Sequence, residues 1–218
     1  MTGRPPSTVA ERALAAEGYG TVAGLDEVGR GAWAGPVSVG VVVAPRGPRP
    51  PRGLRDSKLV SEAAREELFP RVATWCTDWS VGHAWPEECD RWGMTVALRL
   101  ASHRALDGLA VIPDAVLMDG PFDYVTDPSS SGGPGSPAPV VRTVVGGDAT
   151  CTTIAAASIV AKVTRDRMMR ALADHFPAFE FERNKGYPSS AHRTALAGYG
   201  LTSIHRRSWS YVDRLPFR

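Results

Sequence analysis

Cysteine is scarce in this sequence, and the few cysteines that occur are not spaced as a recognisable framework. The chain of 218 residues contains three, and none lies in a Cys-x-x-Cys pair. An odd number of widely spaced cysteines gives no basis for a disulfide framework or a zinc knuckle. We therefore expect all three to be reduced, buried thiols.

Long apolar runs and a strong net charge are also missing. The longest apolar stretch, around residues 37–44, is too short to cross a bilayer. Residues 1–20 hold charged side chains and no apolar core of the kind found in signal peptides. We therefore expect a cytoplasmic protein with no membrane partner. The formal net charge is only +2, so any binding of nucleic acid would depend on a local basic patch.

The apolar and polar residues that are present are patterned as in an α/β protein. Hydrophobic residues make up 43% of the chain and charged residues 22%, which is typical of globular proteins. Three strands are followed by an alternation of strands and helices, and this order predicts a sheet with helices on its faces. The predicted strands span residues 22–28, 36–44, 79–84, 115–118 and 140–145, and the long helices span 86–109 and 152–175.

Composition divides the chain into an arm, a main domain and a tail. Residues 1–20 are predicted to form a loose N-terminal arm with a short helix, residues 21–188 the main domain, and residues 189–218 a C-terminal helical segment. Within the main domain, residues 128–139 contain only Pro, Ser, Gly and Ala. This low-complexity stretch predicts a flexible loop insertion.

Acidic residues stand at or just after the ends of predicted strands, each with glycine nearby. They are the pair Asp26 and Glu27, then Asp119, then Asp148. The carboxyl ends of parallel strands meet at one sheet edge, so we expect Asp119 and Asp148 to lie side by side. Oxygen ligands without histidine or thiol nearby favour Mg²⁺ or Mn²⁺ over zinc. Two such ions a few Å apart form the usual apparatus for cutting a phosphodiester.

Each acid also has a simpler interpretation. Neighbouring side chains in a strand point to opposite faces, so Asp26 and Glu27 enter one pocket only if the strand distorts at its end. Without distortion, Glu27 would offer a backbone carbonyl or a water-mediated contact, and one of the two acids could pair with Arg30. Asp119 could be a turn residue only, and Asp148 only a helix N-cap.

Basic and aromatic residues near these acids are candidates for phosphate and sugar contacts. Ser57 and Lys58 open a predicted helix and could hold a phosphate through backbone N–H groups. Tyr187, in a loop with glycine and proline, could stack on a sugar or base. The alternatives are solvated surface cations and a tyrosine packed over the core. The candidate phosphate contacts are Arg30, Lys58, Lys162, Arg165 and Lys185.

Seven motifs occur in a specific order along the chain. They are Gly24-Leu-Asp-Glu-Val-Gly-Arg-Gly31, Asp56-Ser-Lys58, Met118-Asp-Gly120, Gly147-Asp148, the run from Ile154 to Asp166, Asn184-Lys-Gly-Tyr187 and Ser203-Ile-His-Arg-Arg-Ser208. Together they resemble prokaryotic type 2 ribonuclease H, ribonuclease HII, over roughly residues 20–210. The full set is far more specific than any single aspartate.

The resemblance implies a fold, an activity and a catalytic centre. The fold would be ribonuclease H-like: a five-stranded mixed sheet flanked by helices, with a small C-terminal helical segment. The activity would be cleavage of the RNA strand of RNA/DNA hybrids and incision 5′ of single ribonucleotides in duplex DNA, leaving 3′-hydroxyl and 5′-phosphate ends. Its role would be removal of misincorporated ribonucleotides and RNA primers. Two Mg²⁺ or Mn²⁺ ions would be bound by the catalytic acids Asp26, Glu27, Asp119 and Asp148.

The resemblance also implies how the substrate is recognised. Gly29, Arg30 and Gly31 would read the ribose 2′-hydroxyl through close backbone contacts, and Tyr187 would lie against the sugar at the DNA–RNA junction. The main domain would be catalytic and the C-terminal segment would help to bind substrate. We expect a monomer.

Besides a mild change at Trp209, where the family has its usual aromatic after His-Arg-Arg-Ser, the chain departs from the family pattern in two places, and other functions compete. Gly146 stands where the family often has lysine, and residues 128–139 look like an insertion that is dispensable for cleavage. The competing functions are a different two-metal nuclease on the same fold and a non-catalytic nucleic-acid-binding module.

Overall fold

The computed structural model describes residues 5–45, 47, 49–126 and 139–215. The predicted loop insertion at 128–139 lies outside the described residues except for its last position, so its flexibility stays a prediction. In the described part of the chain, no helix is both long and apolar enough to cross a membrane.

One five-stranded sheet organises the described residues. Its strands are β1 (Val22–Val28), β2 (Val37–Val43), β3 (Asp78–Ala84), β4 (Ala115–Asp119) and β5 (Val140–Val144). They lie in the order β3-β2-β1-β4-β5. β1 and β2 pair antiparallel, as do β2 and β3, whereas β4 runs parallel to both β1 and β5. The sheet is therefore mixed, and the predicted α/β class with five strands is confirmed.

Helices cover both faces of this sheet. They are α1 (Val9–Ala16), α2 (Glu62–Trp75), α3 (Pro86–Asp107), α4 (Gly147–Thr150), α5 (Thr152–Ala173), α6 (Phe181–Asn184) and α7 (Ser190–Tyr199), with short 3-10 helices η1 (Ser57–Leu59), η2 (Pro177–Phe179) and η3 (Val212–Arg214). α3 packs on one face, in a cluster with Leu25, Val39 and Val41. α2 and α5 pack on the other, in a cluster with Val42.

Helix α5 lies unusually close to the central strands because small residues meet at the contact. A Cβ on Gly24 of β1 would stand 2.3 Å from the backbone of Thr153, and one on Gly40 of β2 would stand 2.6 Å from the carbonyl oxygen of Ala157. Only glycine leaves room for such an approach. The close packing lays α5 along β1, with Thr153 beside Gly24 and Ala157 beside Gly40, the residue that pairs with Asp26.

The N-terminal arm is anchored, whereas the sequence predicted a loose one. The Ser7 N–H donates to the carbonyl of Thr150, and the Ser7 carbonyl accepts from the N–H of Thr152. The buried Glu11 carboxylate accepts from both the backbone N–H and the hydroxyl of Thr153, at 2.8 and 3.0 Å. A carboxylate at this place satisfies free N–H groups and complements the helix dipole. Helix α1 therefore caps the first turn of α5.

The C-terminal segment shares a core with the rest of the chain. Leu196 of α7, Ile204 and Tyr211 pack in one hydrophobic cluster with Met169 of α5 and Phe181 of α6. The small helical segment implied by the resemblance is present, while the domain boundary at residue 188 stays a prediction.

Candidate active site

The three aspartates of the acidic set meet at one edge of the sheet. Asp26 lies near the end of β1, Asp119 is the last residue of β4, and Asp148 lies in the single turn α4 that follows β5. The three strands are parallel, so their carboxyl ends reach the same edge. Asp26 and Asp148 retain only 5% and 6% of their accessible surface. The sequence-based expectation that the later acids lie beside each other is confirmed.

Asp26 is the most strongly perturbed of these acids. Burial raises the pKa of its carboxyl well above the ordinary value, and the negative charges of Glu27, Asp119 and Asp148 raise it further, while Lys58 lowers it. Such a site disfavours its own ionised form unless a cation enters it. A cation bound beside Asp26 would therefore stabilise its ionised carboxylate.

Protein donors hold the other two aspartates. The Lys58 ammonium donates to Asp148 Oδ2 at 2.9 Å. Burial lowers the pKa of Lys58, but the hydrogen bond and charge of Asp148 outweigh that effect and raise the pKa above its ordinary value. Asp119 Oδ1 accepts from the N–H of Gly147 at 2.7 Å. Lys58 therefore acts as a counter-charge inside the acidic site.

Glu27 leaves the strand on the opposite face from Asp26. The antiparallel register with β2 continues undistorted through Glu27 and Val28, so the distortion that would let both acids enter one pocket is absent from β1. The Tyr124 hydroxyl donates to Glu27 Oε2 at 3.3 Å, and Arg30 lies 3.8 Å from Glu27 Oε1. Sequence reasoning missed Tyr124, because nothing local marks it as a partner of a residue 97 positions away.

The chemistry of the acidic set fits a hard divalent cation. All four side chains offer carboxylate oxygens, and the buried Asp26 lacks enough positive charge around it. In the described residues, no three acidic, histidine or cysteine side chains converge closely enough to hold a metal ion as they stand. Asp119 and Asp148 instead face the Gly147 N–H and the Lys58 ammonium. These two contacts use Oδ1 of Asp119 and Oδ2 of Asp148, one oxygen of each carboxylate.

Asp26→Asn is expected to stabilise the metal-free protein at neutral pH. A carboxyl whose pKa is raised by folding carries a penalty that grows as pH rises from the unfolded towards the folded pKa, and the penalty is complete above the latter. Asparagine has no such penalty, so the free energy of unfolding in EDTA should rise by about 1–3 kcal/mol. Urea denaturation at pH 7.5 measures this change.

The exposed Asp174 provides the matched control for that experiment. Asp174→Asn makes the same chemical change at the end of α5 and should shift stability by less than about 0.5 kcal/mol. Adding Mn²⁺ should stabilise the original protein more than the Asp26 variant. A metal-free Asp26→Asn protein that is no more stable than the original would contradict the electrostatic account.

Residues 29–31 lie against Tyr187, as the predicted substrate contact requires. Gly29 has φ of +84°, a conformation that suits glycine, and its N–H donates to the Tyr187 hydroxyl at 3.1 Å. A Cβ on Gly31 would come within 4.0 Å of the tyrosine ring. The Arg30 side chain is 59% exposed. The structure thus joins two motifs separated by 158 positions and leaves the cation between the glycines open to solvent.

The position of Arg165 contradicts the prediction that it contacts phosphate. Its guanidinium is fully buried and donates to the carbonyl oxygens of Pro36, Lys185 and Ala34 at 2.7, 2.8 and 3.1 Å. These bonds tie the segment after Gly29 to the segment before Tyr187. Arg165 is therefore a structural cation beneath the predicted substrate-contact residues.

Arg206 supports the same region from the C-terminal segment. It is also buried, and it donates to the carbonyls of Arg30 and Gly29, both at 2.7 Å, and to that of Gly35 at 3.3 Å. Sequence reasoning assigned no role to Arg206, although it lies within one of the seven motifs. The backbone that carries Gly29 to Gly31 is thus held by a guanidinium from the end of the chain.

Two further predicted phosphate contacts are contradicted: the backbone N–H groups of Ser57 and Lys58, and the side chain of Lys185. The backbone N–H groups of Ser57 and Lys58 are occupied by Ser158 Oγ at 3.2 Å and Asp56 Oδ1 at 2.9 Å, so they cannot cradle a phosphate as predicted. Lys185 is buried, with its ammonium against Glu62 and the Glu182 carbonyl.

Lys162 keeps part of its side chain accessible, but it is already paired. Its ammonium donates to Asp166 at 2.7 Å and stands 6.0 Å from the centre of the Tyr187 ring. The predicted contacts that remain open to a substrate are the Arg30 side chain, the Lys58 ammonium and part of Lys162.

Comparisons with known proteins agree with this geometry. The family model for ribonuclease HII matches residues 23–212. Ribonuclease HII of Streptomyces griseus is 50% identical over 220 residues, covering 99% of this chain and 89% of the relative. The ribonuclease H2 structure from Pyrococcus horikoshii OT3 is similar with a TM-score of 0.69 and 28% identity, covering 89% of this chain and 96% of that chain.

A second solved structure extends the likeness in fold. Bst-RNase HIII in complex with Mn²⁺ matches with a TM-score of 0.64 at 19% identity, covering 93% of this chain and 71% of that chain. The ribonuclease HII match extends over most of the chain. This protein is therefore a hydrolase, a metal-dependent endoribonuclease acting on RNA/DNA hybrids, and it belongs to the ribonuclease HII family.

Proposed function

We propose that this enzyme also incises duplex DNA 5′ of a single embedded ribonucleotide, leaving a 3′-hydroxyl and a 5′-phosphate. The observation that carries the proposal is the contact between the Gly29 N–H and the Tyr187 hydroxyl at 3.1 Å. Gly29 follows the acidic pair of β1 by two residues, so this contact brings the Tyr187 ring to a glycine backbone close to the acids. Removal of misincorporated ribonucleotides and of RNA primers would follow from this activity.

Recognition would depend on the one group that distinguishes RNA from DNA at a given position. A 2′-hydroxyl is both a donor and an acceptor, and only a backbone without side chains can approach the sugar closely enough to read it. Gly29 and Gly31 provide that backbone, and the Tyr187 ring provides a flat apolar surface for the neighbouring sugar. One ribonucleotide would satisfy this arrangement, so a continuous RNA strand would not be needed.

The carboxylates of Asp26, Asp119 and Asp148 would hold two Mg²⁺ or Mn²⁺ ions, and Glu27, on the opposite face of the undistorted β1, would offer its backbone carbonyl or a water-mediated contact. When bound, such ions lower the pKa of the attacking water and stabilise the departing 3′ oxygen. The chain supplies the remaining functions with its own residues. Lys58, whose side chain is largely exposed beside Asp148, would approach a phosphate oxygen, as would Arg30. The Tyr124 hydroxyl would orient the Glu27 carboxylate through its hydrogen bond.

We further propose a division of labour along the chain. Residues 21–188 would form the catalytic domain and residues 189–218 would help to bind substrate, since Arg206 supports the backbone of Gly29 and Arg30. The enzyme would work as a monomer in the cytoplasm. The loop at 128–139 would be dispensable for cleavage.

A labelled DNA duplex with one ribonucleotide tests the proposed incision. The reaction should give a single nick 5′ of the ribonucleotide with Mg²⁺ or Mn²⁺, and none with EDTA. An all-DNA duplex of the same sequence should remain intact, and a long RNA/DNA hybrid should be cleaved in parallel. Cleavage of the hybrid without a nick at the single ribonucleotide would refute the proposal. Cleavage of the all-DNA duplex would point to a different two-metal nuclease.

A further inference from the structure

Two fully buried histidines face each other beneath Tyr187. His192 in α7 and His205 in the C-terminal segment are 0% and 1% exposed. They lie among aromatic rings, with Phe179 and Phe181 both within 6 Å of each imidazole centre. Their Nε2 atoms are 2.9 Å apart. At that distance one nitrogen must carry a proton and the other must offer a lone pair.

The partners of the remaining two nitrogens fix which histidine donates. The Thr202 N–H can only donate, and it lies 3.0 Å from His205 Nδ1, so that nitrogen accepts and the proton of neutral His205 sits on Nε2. His192 Nε2 therefore accepts from His205, and the proton of His192 sits on Nδ1. That nitrogen lies 2.9 Å from the Tyr187 carbonyl oxygen, which can only accept. Both ends of the chain of hydrogen bonds thus require the same direction.

The protonation states agree with this direction. Burial lowers the pKa of His192. Burial, together with the neighbouring His192 and Arg207, lowers the pKa of His205 to about 3. Both rings are therefore neutral at physiological pH, each with one proton. All four ring nitrogens have partners, so this polar pair is fully satisfied inside an apolar cluster.

We propose that His205 and His192 form a positioning relay that holds the Tyr187 backbone so that its phenol meets Gly29. The relay begins at Thr202 in the C-terminal segment and ends at the Tyr187 carbonyl. On the other side of the same residue, the phenol accepts from the Gly29 N–H. This inference rests on the proposed role of Tyr187 in recognising the ribonucleotide. The histidines themselves do not touch the substrate.

The alternative is that the two histidines serve stability alone, and a pair of substitutions separates the two roles. His192→Asn keeps an N–H close to the position of Nδ1 and can still donate to the Tyr187 carbonyl. His192→Leu fills the apolar space without a donor. On the single-ribonucleotide duplex, the Leu variant should lose about tenfold in kcat/KM, because small misplacements of a contact residue are costly. The Asn variant should lose less than about threefold, assayed well below the melting temperature of both proteins.

A double-mutant cycle with Tyr187→Ala tests whether His192 acts through Tyr187. If it does, His192→Leu should cost less than about twofold once the tyrosine ring has been removed, because the two residues then form one unit. A purely structural histidine would lower activity by the same factor in both backgrounds. Additive effects, or equal losses in the Asn and Leu variants, would overturn the relay.

Nitrogen-detected NMR of the imidazoles gives a readout that does not depend on cleavage. At pH 7 the spectrum should show His205 protonated on Nε2 and His192 protonated on Nδ1. The opposite tautomer at either ring would overturn the relay even in an active enzyme. If the original protein failed to nick the single-ribonucleotide duplex while the NMR pattern held, the proposed incision would be wrong and the hydrogen-bond relay would stand as a device for placing Tyr187.

Discussion

Asp119→Asn is expected to abolish cleavage while sparing the fold and the binding of duplex substrate. The asparagine Oδ1 can still accept from the Gly147 N–H, which now donates to Asp119 at 2.7 Å. The negative charge is lost, however, and with it one of the oxygens proposed to hold metal. Metal-assisted stabilisation of the transition state amounts to several kcal/mol, so the rate should fall by about a thousandfold or more. Single-turnover cleavage of an RNA/DNA hybrid measures the rate, and a gel-shift assay in EDTA measures binding.

Asp123→Asn is the matched control in the loop that follows. Asp123 Oδ1 accepts from the N–H groups of Val125 and Thr126 at 2.8 and 2.9 Å, bonds that an amide oxygen can also accept. The same chemical change four residues away should leave the rate within about twofold. Loss of cleavage in exact proportion to loss of binding in the Asp119 variant would contradict a catalytic role and favour a binding module.

Much of the site's framework could be predicted because it follows from local patterns. β1 begins and ends at the predicted residues, Val22 and Val28, since an apolar run bounded by glycine and a turn leaves few alternatives. The meeting of Asp119 and Asp148 followed from the parallel pairing of β4 and β5. Each of these features depends on residues that are near each other in sequence or on a general rule of sheet topology.

The partners of the buried cations could not be predicted from local patterns. Arg165 and Lys185 read as surface charges, yet Arg165 binds carbonyls 129 and 131 positions away and Lys185 pairs with Glu62. Likewise, Glu11 caps α5 across 142 positions. Nothing in the neighbouring sequence distinguishes a cation that finds backbone carbonyls in the folded core from one that stays in water. Such contacts depend on how distant loops are brought together.

Arg165→Met is expected to lower the free energy of unfolding by about 3 kcal/mol or more. Methionine fills a similar length but donates no hydrogen bond, so the carbonyls of Ala34, Pro36 and Lys185 lose their partner in the interior. Hydrogen bonds to a charged group contribute about 1.5–3 kcal/mol each, and unpaired buried carbonyls are costly. Removal of a buried charge offsets part of this loss, but three bonds outweigh it. Urea denaturation provides the measurement.

Arg30→Met should instead lower substrate affinity with little effect on stability. The contrast would distinguish two arginines that the sequence predicted equally as phosphate contacts. The Arg30 side chain is mostly exposed, and its ion pair with Glu27 spans 3.8 Å, so its loss should cost less than about 0.5 kcal/mol of stability. Substrate affinity should weaken, with a shallower dependence on salt, because the proposed phosphate contact of Arg30 is lost. An Arg165→Met protein that remained as stable as the original and lost only affinity would show that its guanidinium reaches the substrate after all. If Arg165→Met lowers stability and Arg30→Met lowers affinity, Arg165 stabilises the proposed substrate-contact segment, whereas Arg30 contacts the substrate.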